Sequence, residues 1–407
     1  MVNIENNSEL ALVLPVLFGN ERALSNELLK LTCDKKSFSL QDGRALIPTS
    51  TEKMPDDVAF FNLSSRIAER VWLRLGSAPA KDFDQLFEEV SRISWNKYLN
   101  KDAAFTVTGY SRNSALSSVP ACQRVIKKAI VKSLLAARAM PENARLTENP
   151  ARGEHEIQFS LVDDLLSLMI DTSGEALHKR SYRRKNNLAP LRETTAAALL
   201  EYSYLTNVLR HDGVVIDLFT GSGTLIIEAA LIALDLAPGR LRTFAAEDLE
   251  AIGPRPFKEQ RRKVRDRESI IDPKDNSRFW AFDIDGKAVE AAQANARSAQ
   301  VAGIINFARR DSTRLDFTDI LERAGGREIL FLANPPYGER MQDEAEARSI
   351  AVNLGRWLAR PLREQKYRIS LSLITAEDHF ESDFGLKAKK RRKLYNGPIA
   401  CTLYNYY

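Results

Sequence analysis

Short apolar runs alternate with amphipathic stretches from residue 11 onward. Ala11 to Phe18 reads as a strand and Gly19-Asn20 as a turn, after which Leu24, Leu28, Leu29 and Leu31 recur at helical spacing. From Asp57 to Leu75 the periods mix through Val58, Phe61, Leu63, Ile67 and Val71. Phe83, Leu86, Phe87 and Val90 predict a helix within Asp82 to Tyr98, and Phe105 to Tyr110 alternates like a half-buried strand. Gln123 to Ala137 predicts a helix with Val125, Ile126, Ile130, Val131 and Leu134 on one side. Lys127, Lys128 and Lys132 lie elsewhere on it, so its polar face is basic. With strand-like runs at Glu156 to Leu161 and Leu165 to Asp171, this part is an α+β mixture.

After His178 strands and helices alternate in order. Val214 to Asp217, Phe279 to Asp283, Ile304 to Arg309, Ile329 to Ala333 and Arg368 to Thr375 predict strands. Thr224 to Leu234, Gly286 to Ala299 and Ala345 to Ala359 predict helices between them. That order calls for βαβ units and a mostly parallel sheet covered on both faces, a Rossmann-like α/β domain. Asn396-Gly397, between Lys393 to Tyr395 and Ile399 to Tyr404, predicts a type I′ hairpin. Leu236 to Arg278, charged and containing Pro254, Pro256 and Pro273, reads as an excursion from the sheet.

A length of 407 residues predicts two or three domains, and 44% hydrophobic with 28% charged residues is a globular composition. The longest apolar stretches, Ala11 to Phe18 and Ala229 to Leu234, fall far short of a bilayer span of roughly 20 residues. The first ten residues carry Glu5 and Glu9 and no basic flank of a secretory signal, so a cytoplasmic location is expected. Cys33, Cys122 and Cys401 lie far apart, and His155, His178, His211 and His379 show no ligand spacing with them. Neither a disulfide framework nor a metal site is predicted.

The net charge of +5 conceals an asymmetry. Lys179 to Arg192 has six basic and no acidic residues, Arg255 to Arg267 seven against two, and Lys387 to Lys393 six against none. These segments carry +17 together and leave −12 on the rest, a distribution suited to a polyanion surface.

Candidate chemistry gathers at the predicted strand ends. Asp217-Leu-Phe-Thr-Gly221-Ser-Gly223-Thr224 puts an acid at a strand tip and two glycines in the turn before a helix, where a ligand can approach the backbone. A dinucleotide fingerprint needs a third glycine where Ile226 stands, which disfavours hydride transfer. Asp283, at the second strand tip, can accept from both hydroxyls of a ribose, whereas Asp285 suits a helix cap. Arg310-Asp311-Ser312 ends the third strand, where a side-chain acceptor could meet an exocyclic amine or cap a helix. Asn334-Pro335-Pro336-Tyr337-Gly338, directly after the apolar strand Ile329 to Ala333, is the most specific signal in the chain. Its two prolines fix an extended loop, on which the Asn334 oxygen and the Pro335 carbonyl can converge on one NH2 group while Tyr337 offers a flat face.

With those motifs, residues 178 to 407 resemble a class I S-adenosylmethionine-dependent methyltransferase of the amino-methylating kind. The resemblance implies that Asp217, Gly221, Gly223 and Thr224 surround the methionine part of the cofactor, Asp283 its ribose, and Asp311 with Ser312 its adenine. Asn334, counted with cofactor and acceptor alike, would act with Pro335 and Tyr337 on the acceptor.

Gly109-Tyr-Ser-Arg112-Asn113-Ser114, the basic-faced helix, Ser173 to Arg183 and Ala189-Pro190-Leu191-Arg192-Glu193-Thr194 further resemble bacterial THUMP-domain rRNA methyltransferases, a similarity that covers nearly the whole chain. That family implies a ferredoxin-like region at 1–56, a THUMP RNA-binding domain at 57–172 and a methyltransferase domain with a seven-stranded sheet at 173–407, carrying the basic insertion 236–278. It implies N2-methylation of a guanine in 23S rRNA, free or in a large-subunit precursor particle, by a single catalytic unit without the second fused methyltransferase domain of some relatives. Arg112, Lys127, Lys128, Lys132, Arg180, Arg183 and Arg184 would meet the RNA. An N5-glutamine protein methyltransferase, which would have little use for the basic segments, and a non-catalytic RNA-binding assembly factor are the rival readings.

Overall fold

The computed structural model describes residues 10–41, 43–141, 143–150, 153–183, 191–265, 276–336 and 341–407. The chain divides into two units. One comprises Met1–Val16, Leu28–Leu177 and Arg242–Asp266, the other Leu17–Glu27, His178–Leu241 and Arg267–Tyr407.

The first unit holds a seven-stranded sheet of β1 (Ala11–Pro15), β2 (Ser39–Gln41), β3 (Arg44–Pro48), β4 (Trp72–Pro79), β5 (Ala104–Arg112), β6 (Glu154–Val162) and β7 (Leu165–Asp171). The strands run in the order β2-β3-β1-β4-β7-β6-β5. All neighbours are antiparallel except β5 and β6. Because β1 pairs with both β3 and β4, opposing Leu12 to Ile47 and to Leu73, the sheet continues across residues 56 and 57. Helix Val119–Ala137 buries Cys122, Ile126, Ala129, Ile130, Leu134 and Leu135, and leaves Val125 and Val131 partly open. It begins four residues before the apolar period does, with Pro120 in its first turn, where a missing N–H costs nothing.

Within the expected insertion, Arg242–Asp266 belongs to this first unit. Helix Pro254–Arg265 packs on helix Met54–Ser64, and the buried Phe257 ring stacks on Phe244. Arg242 donates to the carbonyls of Ala176 (2.8 Å) and Ser173 (3.3 Å), and Arg261 forms two bonds to Glu247.

The second sheet consists of β8 (Val214–Asp217), β9 (Phe279–Asp283), β10 (Ile305–Arg309), β11 (Ile329–Ala333), β12 (Ile369–Thr375), β13 (Lys390–Asn396) and β14 (Ile399–Tyr406), ordered β10-β9-β8-β11-β12-β14-β13. The first five positions in that order pair in parallel, and β14 runs antiparallel to both its neighbours. Every residue of β8 and β11 is buried, as continuous apolar runs covered on both faces should be.

The hairpin differs in type from expectation. Asn396 opposes Ile399, so Gly397 and Pro398 are the two loop residues, with Gly397 at φ +63°. Pro398 is locked at negative φ and cannot sit in a type I′ turn, so glycine in the first loop position gives type II′. Among the described residues no helix is long and apolar enough to cross a membrane.

Candidate functional site

The chain leaves β8 for β9 and β10 on one side and returns to β11 and β12 on the other. A crevice opens at such a reversal, beyond the carboxyl ends of the strands. Two bonds shape it: Leu218 N–H donates to Leu332 (2.9 Å) and Thr220 N–H to Phe282 (2.9 Å).

Asp217 ends β8 fully buried. Its Oδ1 accepts from Phe219 N–H at 3.3 Å, while Oδ2 has no partner among the described residues. Burial, and then the Asp283 carboxylate, push its acid up to about 7. In the following turn Gly221 has φ +52° with open space where a Cβ would stand, and its N–H donates to Asp283 Oδ2 at 2.8 Å. Gly223, at φ +85°, starts helix Thr224–Ala233, and a Cβ there would come within 3.1 Å of Ala292 Cβ. The turn therefore offers backbone and a helix N-terminus to a ligand.

Asp283 also accepts from Asp285 N–H at 2.9 Å, and Asp285 caps the next helix by accepting from Lys287. Beyond Asp283 stands Ile284, 62% exposed, an apolar surface that sequence reasoning missed. Asp311 is occupied locally: its Oδ1 accepts from Thr313 N–H (3.0 Å) and Oγ1 (2.6 Å), and Arg314 sits 3.4 Å from Oδ2. Ser312 is buried, donating to Leu218 O and accepting from the Trp357 indole at 3.2 Å. Ser312 thus ties the end of β10 to that of β8, whereas Asp311 caps the turn that follows its own strand.

Asn334 follows β11 at the strand tip, with a buried Oδ1 that lacks a hydrogen-bond partner among the described residues, and Pro335 beside it is buried. Tyr337 lies outside the described residues. A buried acceptor without a donor is costly unless something supplies one. Asp217 Oδ2 and Asn334 Oδ1, at the ends of the neighbouring strands β8 and β11, are two such acceptors, and a ligand carrying ammonium or amino groups would supply the donors they lack among the described residues.

Beneath the turn lies a charged cluster absent from the sequence reading. Thr224 Oγ1 accepts from Arg183 at 2.8 Å, and Arg183 pairs with Glu193 at 3.1 Å. Arg180 pairs with Glu228 at 3.6 Å, and Tyr182 donates to the same carboxylate at 3.2 Å. Burial, Glu228 and Glu193 push the Tyr182 phenol well above its ordinary range. Arg180, expected at an RNA surface, is thus buried within the second unit, and Arg183 is mostly covered beside it. Arg184 lies outside the described residues. The one sequence clue was Glu228, an acid inside the apolar run TLIIEAALIA.

In the first unit Arg112 is exposed at the end of β5, and Lys127, Lys128 and Lys132 are exposed on their helix. Lys127 lies 5.2 Å over Phe105 and 3.2 Å from Glu148, while Lys128 and Lys132 lie 6.0 and 5.9 Å over Phe87. The three amines thus each lie over an aromatic ring of the same unit.

Residues 180–405 match the model of the RMKL-like methyltransferase domain family, and residues 80–145 that of the THUMP domain. A putative RNA methyltransferase of Bacillus subtilis is 36% identical over 85% of this chain and 84% of its own. A ribosomal RNA large subunit methyltransferase K/L of Marinobacter nauticus is 32% identical over 84% of this chain, which spans about half (46%) of that relative's length. Among solved structures, a putative methyltransferase complexed with SAH superposes with a TM-score of 0.83 at 31% identity, covering 98% of each chain. A predicted N6-adenine-specific DNA methylase from Listeria monocytogenes gives 0.81 at 31% identity, covering 98% of this chain and 96% of its own.

Proposed function

Because the chain belongs to the RMKL-like, S-adenosylmethionine-dependent methyltransferases and carries a THUMP domain, we propose that it methylates the exocyclic N2 amine of a guanine in 23S ribosomal RNA. The observation that carries this reading is the unpartnered Asn334 oxygen at the tip of β11, beside the Asp283-held glycine turn. The large-subunit methyltransferases among its relatives favour ribosomal RNA, free or within a precursor particle, as the substrate.

Asp217, the Gly221–Thr224 turn and Asp283 would hold the cofactor, with Asp311 and Ser312 shaping the floor beside it. When bound, S-adenosylmethionine supplies an electrophilic methyl on a sulfonium. The acceptor is a poor nucleophile, since its lone pair is delocalised into the ring. Asn334 Oδ1 and the Pro335 carbonyl, each accepting one amine hydrogen, would favour a pyramidal nitrogen with its lone pair directed at the methyl carbon. An acceptor nitrogen that had taken the methyl would be an arylammonium, acidic enough to shed its proton to water without a fixed base. A base in folded RNA must be extruded to reach this loop, and Tyr337 would stack on it.

The test is transfer of labelled methyl from S-adenosylmethionine to protein-free large-subunit rRNA lacking the modification, followed by nucleoside analysis. Label in N2-methylguanosine is the expected result. Label in N6-methyladenosine, or in protein alone, overturns the assignment of acceptor.

A further inference from the structure

The most exposed large apolar side chain among the described residues is Phe18, at 67%. It sits in the Leu17–Glu27 segment of the second unit, where an exposed ring on a loop would ordinarily be free to move. This loop is anchored instead. A Cβ on Gly19 would fall 2.5 Å from the Lys393 carbonyl and 2.9 Å from Leu394 Cδ2, so only glycine lets the loop lie this close to β13. The Gly19 carbonyl accepts from the Tyr202 hydroxyl (2.8 Å), and the Gly19 N–H donates to Glu21 (2.9 Å). Phe18 meets Tyr395 edge to face, 5.8 Å between centroids at 74°.

The register locates this pair. Lys393 opposes Thr402, and Thr402 opposes Thr375, the last residue of β12. Lys393 and Tyr395 therefore stand at the carboxyl end of the parallel strands, the end that also carries the glycine turn and Asn334. From β11 to β13 is three strand steps, about 14 Å at roughly 4.8 Å each. Along β13, Lys390 lies 5.4 Å over Tyr204 and 5.7 Å over Tyr407, both exposed rings, so basic and aromatic groups interleave down the edge. Lysines on an edge strand also discourage pairing with another chain. That role accounts for the lysines but not for a phenyl ring pinned beside them in solvent.

We infer that Phe18 and Tyr395, with Lys393 beside them, form a stacking platform for an unpaired RNA base neighbouring the one to be methylated. The inference rests on the RNA-methyltransferase reading above. Unpaired bases are bound in this way elsewhere, on aromatic faces next to cations that track the phosphates.

The experiment compares the full-length wild type with Phe18→Ala, Phe18→Trp and Tyr395→Ala. It measures the anisotropy of a fluorescein-labelled large-subunit rRNA fragment, the KM for RNA in methyl transfer, and S-adenosylmethionine affinity by calorimetry. Loss of one stacking ring should weaken RNA binding and raise the KM about tenfold, with Phe18→Trp close to wild type and cofactor affinity constant. RNA affinity equal to wild type in both alanine variants overturns the platform. So does greater light scattering without any loss of RNA affinity, which would make the ring an edge guard. A wild type that binds this RNA through Phe18 yet labels protein alone would instead overturn the proposed acceptor and leave the platform standing.

Discussion

Asp217 keeps a proton in the folded chain that it would give up in water, because burial raises its acid from an ordinary 3.8 to about 7. The unfolded chain releases that proton near pH 4, so stability contributed by this group falls as pH rises between about 4 and 7, by up to about 1.4 kcal/mol per unit. Asp217→Asn, which carries no proton to lose, should flatten the decline in Tm between pH 5 and 8 in calorimetric scans and weaken cofactor binding. At the neighbouring strand tip, Asn334→Ala should abolish methyl transfer, a fall of at least a hundredfold, while calorimetry finds cofactor affinity within a few fold of wild type. Equal loss of both would make Asn334 a cofactor ligand first. Strand-tip position made Asp217, Asp283 and Asn334 legible as candidates, and the flanking Gly286 marked Asp285 as a cap, where it accepts from Lys287. Asp311 read equally well as cap or ligand, because sequence does not reveal that Thr313 supplies two donors to one of its oxygens. Arg180 was illegible for a similar reason: its partner Glu228 is 48 positions away, on a different element.

At the scale of elements, periodicity found β8, β9 and β11 to the residue because their apolar runs end in turn chemistry. It missed helices Glu193–Tyr202 and Leu205–Arg210, where burial all round or shortness leaves no amphipathic stripe. The hairpin was found but its turn was shifted by one residue, since Asn-Gly outweighed the proline that follows. Helix Val119–Ala137 kept its basic face, with Lys127, Lys128 and Lys132 exposed and their amines over Phe105 and Phe87. Reversing all three to Glu should weaken RNA binding at least tenfold at 0.1 M salt and reduce the slope of log affinity against log salt by two or three. Cofactor affinity should stay constant. An unchanged salt slope would remove this helix from the RNA surface.

The whole molecule was legible as two kinds of fold in one chain, but not in how the chain is apportioned between them. It passes from one unit to the other at 16/17, 27/28, 177/178, 241/242 and 266/267. Pattern along a sequence reports which residues want burial, not which core receives them, so the basic excursion could not be assigned to the first unit. A cut at 177/178 would deprive the first unit of Phe257 and the Arg242 anchors, and the second of buried Ala23 and Leu24. Fragments 1–177 and 178–407, expressed apart, should each lack the cooperative thermal transition of the intact chain, as read by near-ultraviolet circular dichroism. A sharp transition in either would mean that the returning segments are dispensable. The same threading bears on descent. A single genetic exchange at that junction would join a sheet to another lineage's returning helix and split two cores at once, whereas adding a whole gene at either flank breaks neither. Such a chain can be copied, lengthened or fused in evolution far more readily than its two halves can be traded.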